Sequence, residues 1–193
     1  HSMLANTTGT DNTAVGTATL DASTTGSNNT AVGNGALSTN TTASNNTAVG
    51  FYALLLNTTG YDNAAVGKDA LYANTGGANN VAFGKSALYT NTTGGSNVAV
   101  GVNAGYSVTT GNANTIVGLN GGYALTSGTN NLLLGKDAGR TGSPGGNVTT
   151  HSNQLALGDE NITSASVQTD WTVASDARDK TDFTALDLGL DFV

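Results

Sequence analysis

The chain has 193 residues, with 27 glycines, one proline and no cysteine; charged residues make up 10% and the net charge is −7. Low charge with a regular apolar pattern argues against disorder, and recurrent Gly with abundant Thr and Val argues against helix. The acidic balance argues against nucleic acid as a partner, and no apolar run is long enough to insert into a membrane.

Residues 1–3, His1-Ser2-Met3, read as a tag remnant and are set aside. From Leu4 onward one unit recurs every 17 residues, closing on Gly16, Gly33, Gly50, Gly67, Gly84, Gly101, Gly118 and Gly135. Each closing glycine follows an asparagine four positions earlier, from Asn12 and Asn29 through to Asn131. A second glycine column runs through Gly9, Gly26, Gly60, Gly77, Gly94, Gly111 and Gly128, with Ala43 as its exception. A strict period in this range predicts stacked units that share one elongated core, since no single unit can bury its own apolar face. Short β-branched runs between Gly and Asn turns predict one strand per unit. The expected fold is therefore all-β, a parallel β-roll or β-solenoid over residues 4–158. Eight coils or so, at about 4.8 Å each, make a rod about 40 Å long.

Two columns dominate the strand: Val15, Val32, Val49, Val66, Phe83, Val100, Val117 and Leu134, and beside them Ala14, Ala31, Ala48, Ala65, Ala82, Ala99, Ile116 and Leu133. Alternation sends one inward and the other outward. An outward Ala column is expected to need a partner, and an identical chain is the simplest one. The Asn-Thr-Thr-Gly corners suit tight turns, with Gly taking positive φ, and stacked Asn columns can pass amide hydrogen bonds from coil to coil.

The columns drift along the chain. Leu20, Leu37, Leu54, Leu71 and Leu88 give way to Gly105, Gly122 and Gly139, which predicts a change in cross-section. One column on, Tyr72, Tyr89, Tyr106 and Tyr123 are spaced by the repeat and predict a ladder along one edge. It reads either as a corner filled by stacked rings or as a strip on which sugar rings stack; Phe51, Tyr52 and Tyr61 extend the latter. After Gly135 the next matching turn, Leu155-Ala156-Leu157-Gly158, arrives 23 residues later, so six residues are inserted within 139–154. The inserted loop holds the only proline and His151, a candidate binding residue. No cluster of His, Cys or carboxylates supports a metal site, and no cofactor is expected. The Asn-x-Thr triplets at Asn6, Asn40, Asn57 and Asn91 arise from the repeat itself and carry no weight as glycosylation sites.

Residues 159–193 leave the period, with a β segment expected at 159–175 and Ser175-Asp176-Ala177-Arg178-Asp179-Lys180 following it.

The repeats resemble the left-handed parallel β-roll heads of trimeric autotransporter adhesins, with their N-S-V-A-I-G units, and the N-T-A-V-G arrays of phage tail fibres and fibre-like bacterial surface proteins. Ser175, Asp176, Arg178 and Lys180 match the S-D-x-R-x-K opening of the endosialidase-type intramolecular chaperone, of which 176–193 covers only the start; Asp179 stands where an apolar residue is common. The resemblance implies a homotrimeric fibre on a virion tail or bacterial surface that recognises a cell-surface glycan or receptor. It also implies that a longer precursor cleaves itself at Ser175 with Lys180 as base, the fragment itself not being an enzyme. A free Thr-rich solenoid of the ice-binding kind is the alternative, on the column Thr13, Thr30, Thr47 and Thr115, although that column also holds Ala64, Val81, Val98 and Leu132. A glycosidase is disfavoured, because Asp69 and Asp137 lie four coils apart, about 19 Å, too far for a catalytic pair.

Overall fold

The computed structural model describes residues 1–143 and 146–164. Every regular element among them is a three-residue strand. These are β1 (Thr13–Val15), β2 (Thr30–Val32), β3 (Thr47–Val49), β4 (Ala64–Val66), β5 (Val81–Phe83), β6 (Val98–Val100), β7 (Thr115–Val117), β8 (Leu132–Leu134) and β9 (Leu155–Leu157). They form one sheet in chain order, each parallel to the next. This is a β-solenoid with a 17-residue period. The register holds at 17 from Thr13↔Thr30 to Thr115↔Leu132 and becomes 23 at Leu132↔Leu155, so the six extra residues leave the pairing undisturbed. Residues 1–3 also lie on the roll: Ser2 bridges Thr19 in parallel, and Met3 packs against the core.

The middle residue of each strand faces in. Ala31, Ala48, Ala65, Ala82, Ala99, Ile116, Leu133 and Ala156 are buried, whereas the Val column is partly or fully exposed, with Val15 and Phe83 both 57% exposed. This corrects the expected outward Ala column. The interior already holds the large Leu20, Leu37, Leu54, Leu71 and Leu88 and the buried alanines Ala36, Ala53, Ala70, Ala87 and Ala104, which leaves room for only a small strand residue.

Those five leucines adopt left-handed backbone, φ 48–52°, a conformation that costs a non-glycine residue about 1–2 kcal/mol. Burial of the leucine side chain, worth about 1.5–3 kcal/mol, offsets the cost. In the last coils the exchange runs the other way. Gly105, Gly122 and Gly139 keep the left-handed turn without strain, and the vacated space is filled by Val108, Leu125 and Val148 together with Ile116 and Leu133. A Cβ on Gly105 would stand 3.0 Å from both Ile116 Cδ1 and Leu88 Cδ2. The drift of the Leu column is thus an exchange of core filler.

The corner glycines have a different reason from the one expected. Gly26, Gly60, Gly77, Gly94 and Gly111 do not have positive φ; their absent Cβ would collide with the backbone carbonyl of the next coil. At Ala43 the stacking loosens, and Thr41 N–H reaches Thr58 O at 3.4 Å where Thr24 N–H reaches Thr41 O at 2.9 Å.

Residues 160–161 form a turn, held by Asn161 N–H on Asp159 Oδ1 at 2.9 Å, and residues 159–164 contain no strand. The rest of the expected β segment, and the chaperone-like stretch, lie outside the described residues.

Candidate functional site

Two asparagine columns run through the interior. In the first, the backbone N–H of Asn29 donates to Asn12 Oδ1 at 2.9 Å, and its side-chain amide donates to Ala43 O at 2.9 Å. The pattern repeats up to Asn131, whose Oδ1 accepts from Gln154 N–H. In the second, Asn57, Asn74 and Asn91 each donate to the Oδ1 one coil before and to the corner carbonyl three residues on. From Asn29 onward both columns are buried and their side-chain amides hold coils together, which places Asn40, Asn57 and Asn91 beyond the reach of glycosylation.

The tyrosine ladder forms. Tyr72, Tyr89, Tyr106 and Tyr123 stack with centroids 5.0 Å apart and interplanar angles of 11°, 5° and 7°. The spacing follows the parallel-strand separation, and each ring is half-buried. Because the faces lie on one another, they cannot also receive sugar rings; edges and hydroxyls remain. Burial, and then the neighbouring Tyr72 and Tyr106, push the Tyr89 phenol above its ordinary pKa. At the N-terminal end Tyr52 meets Tyr72 edge-on at 6.3 Å and Phe51 at 3.8 Å, and Lys68 Nζ lies 5.7 Å above the Phe51 ring. Gly35 makes room for this, since a Cβ there would come within 2.5 Å of the Tyr52 ring. Tyr61 is exposed and joins no aromatic contact among the described residues.

The next position in the tyrosine column after Tyr123 is Arg140. Its guanidinium lies 5.2 Å over the Tyr123 ring and contacts Asp137 Oδ1 at 2.6 Å. Asp137 also accepts from Asn120, and Lys136 Nζ bridges Asp137 Oδ2 at 3.2 Å and Asp159 Oδ2 at 3.3 Å, tying the turn after β8 to the turn after β9. Burial raises the Asp137 carboxyl, but the bonds from Arg140, Asn120 and Lys136 outweigh it and hold the group below the usual carboxylate range. Asp159 is held low by Asn161 and then Lys136, and Lys136 is held high by the two carboxylates.

The inserted loop places His151 at the position of Gly128, one coil on. Its side chain is exposed, and its carbonyl accepts from the Asn131 amide at 2.9 Å. It does not join the tyrosines. Ser175 and Lys180 lie outside the described residues.

Besides these groups the solenoid carries an apolar strip along the outer face of the sheet. Val15, Phe83, Val117 and Leu157 are exposed in one column, and Val81, Leu132 and Leu155 in the other. Among the described residues no group of three or more His, Cys, Asp or Glu is placed to hold a metal ion, and no helix is long and apolar enough to cross a membrane. Comparison with protein-family models, curated proteins and solved structures returns no match.

Proposed function

We propose that this chain is a structural and receptor-binding part of a homotrimeric fibre, displayed on a virion tail or a bacterial surface and recognising a cell-surface glycan. The observation that carries this reading is the outer face of the sheet. It is an apolar strip about 40 Å long running the length of nine strands. Continuous exposed patches on that scale mark association surfaces, and a closed ring of identical subunits buries the same strip on every copy. A rod of small-residue coils supplies reach, and three copies turn a weak glycan contact into avidity. The Ser175–Lys180 stretch supports a precursor in which a C-terminal chaperone assembles the trimer and releases it by cleavage at Ser175, with Lys180 as base. The ice-binding alternative has weaker support: the Thr13 column passes to Ala64, Val81 and Val98 before Thr115.

Light scattering on the chain tests the assembly. Three times the 19.1 kDa chain mass is expected; a mass of one chain overturns the trimer as the stable unit of this segment.

A further inference from the structure

Between the turn after β8 and the turn after β9 lies a cavity of about 190 Å³. Lys136, Asp137 and Arg140 line one side, with Thr141 and Gly142, and Asp159, Glu160 and Asn161 line the other. One coil earlier the positions of Lys136, Asp137 and Arg140 hold Leu119, Asn120 and Tyr123, and four coils earlier they hold Lys68, Asp69 and Tyr72, so the Lys-Asp pair recurs but only this coil adds Arg140 and faces Asp159 and Glu160. The chain leaves the 17-residue period here, and three of the four ion pairs among the described residues meet here.

The polar groups are arranged for more than mutual neutralisation. Lys136 fixes Asp137 and Asp159 across the cleft, and Arg140 is held between Asp137 and the face of Tyr123. Two cations against three carboxylates leave one negative charge, and Glu160 makes no ion pair with any described residue. Gly142 has φ +94°, and a Cβ there would run into the Glu160 carboxylate. A side chain at 142 would therefore push Glu160 away from the cavity.

We infer that this cavity is a subsite for one neutral or amino sugar ring of the glycan, an assignment that rests on the glycan-binding reading above. The lining has little apolar surface, so an apolar ligand gains nothing there. Sugar hydroxyls donate to the Asp159 and Glu160 carboxylates and accept from Lys136 and Arg140, the chemistry these groups offer in closest supply. The volume lies below the roughly 300 Å³ at which pockets for larger ligands begin, which suits a single ring. Glu160 leaves the subsite with a negative charge that disfavours sialic and uronic acids.

Saturation-transfer NMR on the full chain, with the methyl glycosides of glucose, galactose, mannose and glucosamine set against sialic acid and glucuronate, tests the assignment beside a glycan array. At least one of the four glycosides is expected to bind and the two acids are not. Glu160→Gln and Asp159→Asn are each expected to weaken that binding tenfold or more, whereas Asp62→Asn, the same change of charge at an exposed position on an earlier coil, leaves it unchanged. Glu160 has no described partner to lose, so its variant keeps the fold, which circular dichroism checks. Glycan binding that survives both substitutions overturns the subsite and leaves the glycan-binding reading in place. Preferential binding of sialic acid or glucuronate overturns the charge argument and the subsite with it. A blank array together with no glycoside signal overturns the glycan-binding reading itself.

Discussion

The side-chain oxygen of Asn91 is buried without a hydrogen-bond partner, because the position one coil on, where an asparagine would donate to it, is Val108. The Asn91 amide still donates to Asn74 Oδ1 at 2.9 Å and to Gly94 O at 3.0 Å, so the ladder ends on an acceptor. The other column ends differently, on Asn131 Oδ1 accepting from Gln154 N–H, whereas here an asparagine at 108 would only move the orphan one coil further, to face Leu125. The same ending recurs near the N-terminal coil: Asn6 Oδ1 and Ser23 Oγ, one coil apart, are both unpartnered, so a hydroxyl in this column is too short to bridge the gap.

Val108→Thr follows from that pair. The new hydroxyl replaces a buried methyl beside Gly105 and, like Ser23, finds no acceptor or donor within reach. Burying it is expected to cost about 1–3 kcal/mol, measured by chemical denaturation against the parent chain. A stability equal to or above the parent means that the hydroxyl reaches Asn91 Oδ1.

Gly105, Val108 and Ile116 replace the Leu, Asn and Ala of the earlier coils as a set. Gly105→Leu alone drives a side chain into Ile116 Cδ1 and is expected to cost about 1–3 kcal/mol by overpacking, beyond the left-handed strain. Adding Ile116→Ala and Val108→Asn rebuilds the earlier coil type and is expected to recover most of that loss. A triple variant whose loss equals the sum of the three singles would show that the columns are independent.

The corner glycine column invites opposite substitutions at two of its positions. Gly94→Ala puts a Cβ against Gly111 O and Asn91 Oδ1 and is expected to destabilise by about 1–3 kcal/mol or more. Ala43→Gly removes the Cβ that accompanies the long Thr41–Thr58 bond. Its relief of that stacking is set against about 0.5–1 kcal/mol of added backbone entropy. Thermal unfolding should therefore separate the two by several degrees, with Gly94→Ala far lower.

How much of this could be read from the residues depends on what the column arithmetic carries. The 17-residue register, the Asn ladders and the stacked tyrosines all follow from residues recurring in phase, and the structure has each of them. Alternation alone left open whether Ala31 or Val32 faces in, because both are small enough to sit inside. Volume decides it, since Leu37 and Ala36 already fill the interior. Nothing about Leu88 announces a left-handed backbone; the signal lay one coil on, where Gly105 takes its place. Arg140 was similarly legible as the successor of Tyr123, since 123 and 140 differ by one period. Its partners were not, because Asp159 comes next to Lys136 only once the six-residue insertion is looped out.

Acid and alkali should loosen the joint between the last two coils first. The Asp137 and Asp159 carboxyls are lowered by folding, so their contribution is fully present above the ordinary carboxylate value of about 3.9 and is lost as pH falls through the lowered values. Lys136 is raised, so its contribution is present below the ordinary lysine value of about 10.4 and is lost as pH rises through the raised one. Hydrogen exchange of the β8 and β9 amides, extrapolated for intrinsic rates, is expected to be flat across neutral pH and to speed up at both extremes. Equal acceleration in β3 and β4 would show global unfolding instead. In the alkaline arm the raised Tyr89 phenol should appear as a late-titrating fraction in the tyrosine ultraviolet signal.

The outer strip yields the sharpest test of assembly. Phe83, 57% exposed, sits in the middle strand β5, and Val49 occupies the same column two coils earlier in β3. Neither side chain belongs to the interior of the roll, whose buried strand residues there are Ala82 and Ala48. Phe83→Asp and Val49→Lys are therefore expected to leave the β signature in circular dichroism intact, while placing a charge in the middle of the apolar strip. If copies associate through that strip, each charge is buried and unpaired, and the assembly should fall to single chains at concentrations where the parent is trimeric. Light scattering reads the difference directly. A parent that is trimeric with both variants equally so would move the interface off the sheet face. Loss of the trimer in both variants with the fold retained would identify the strip as the seam.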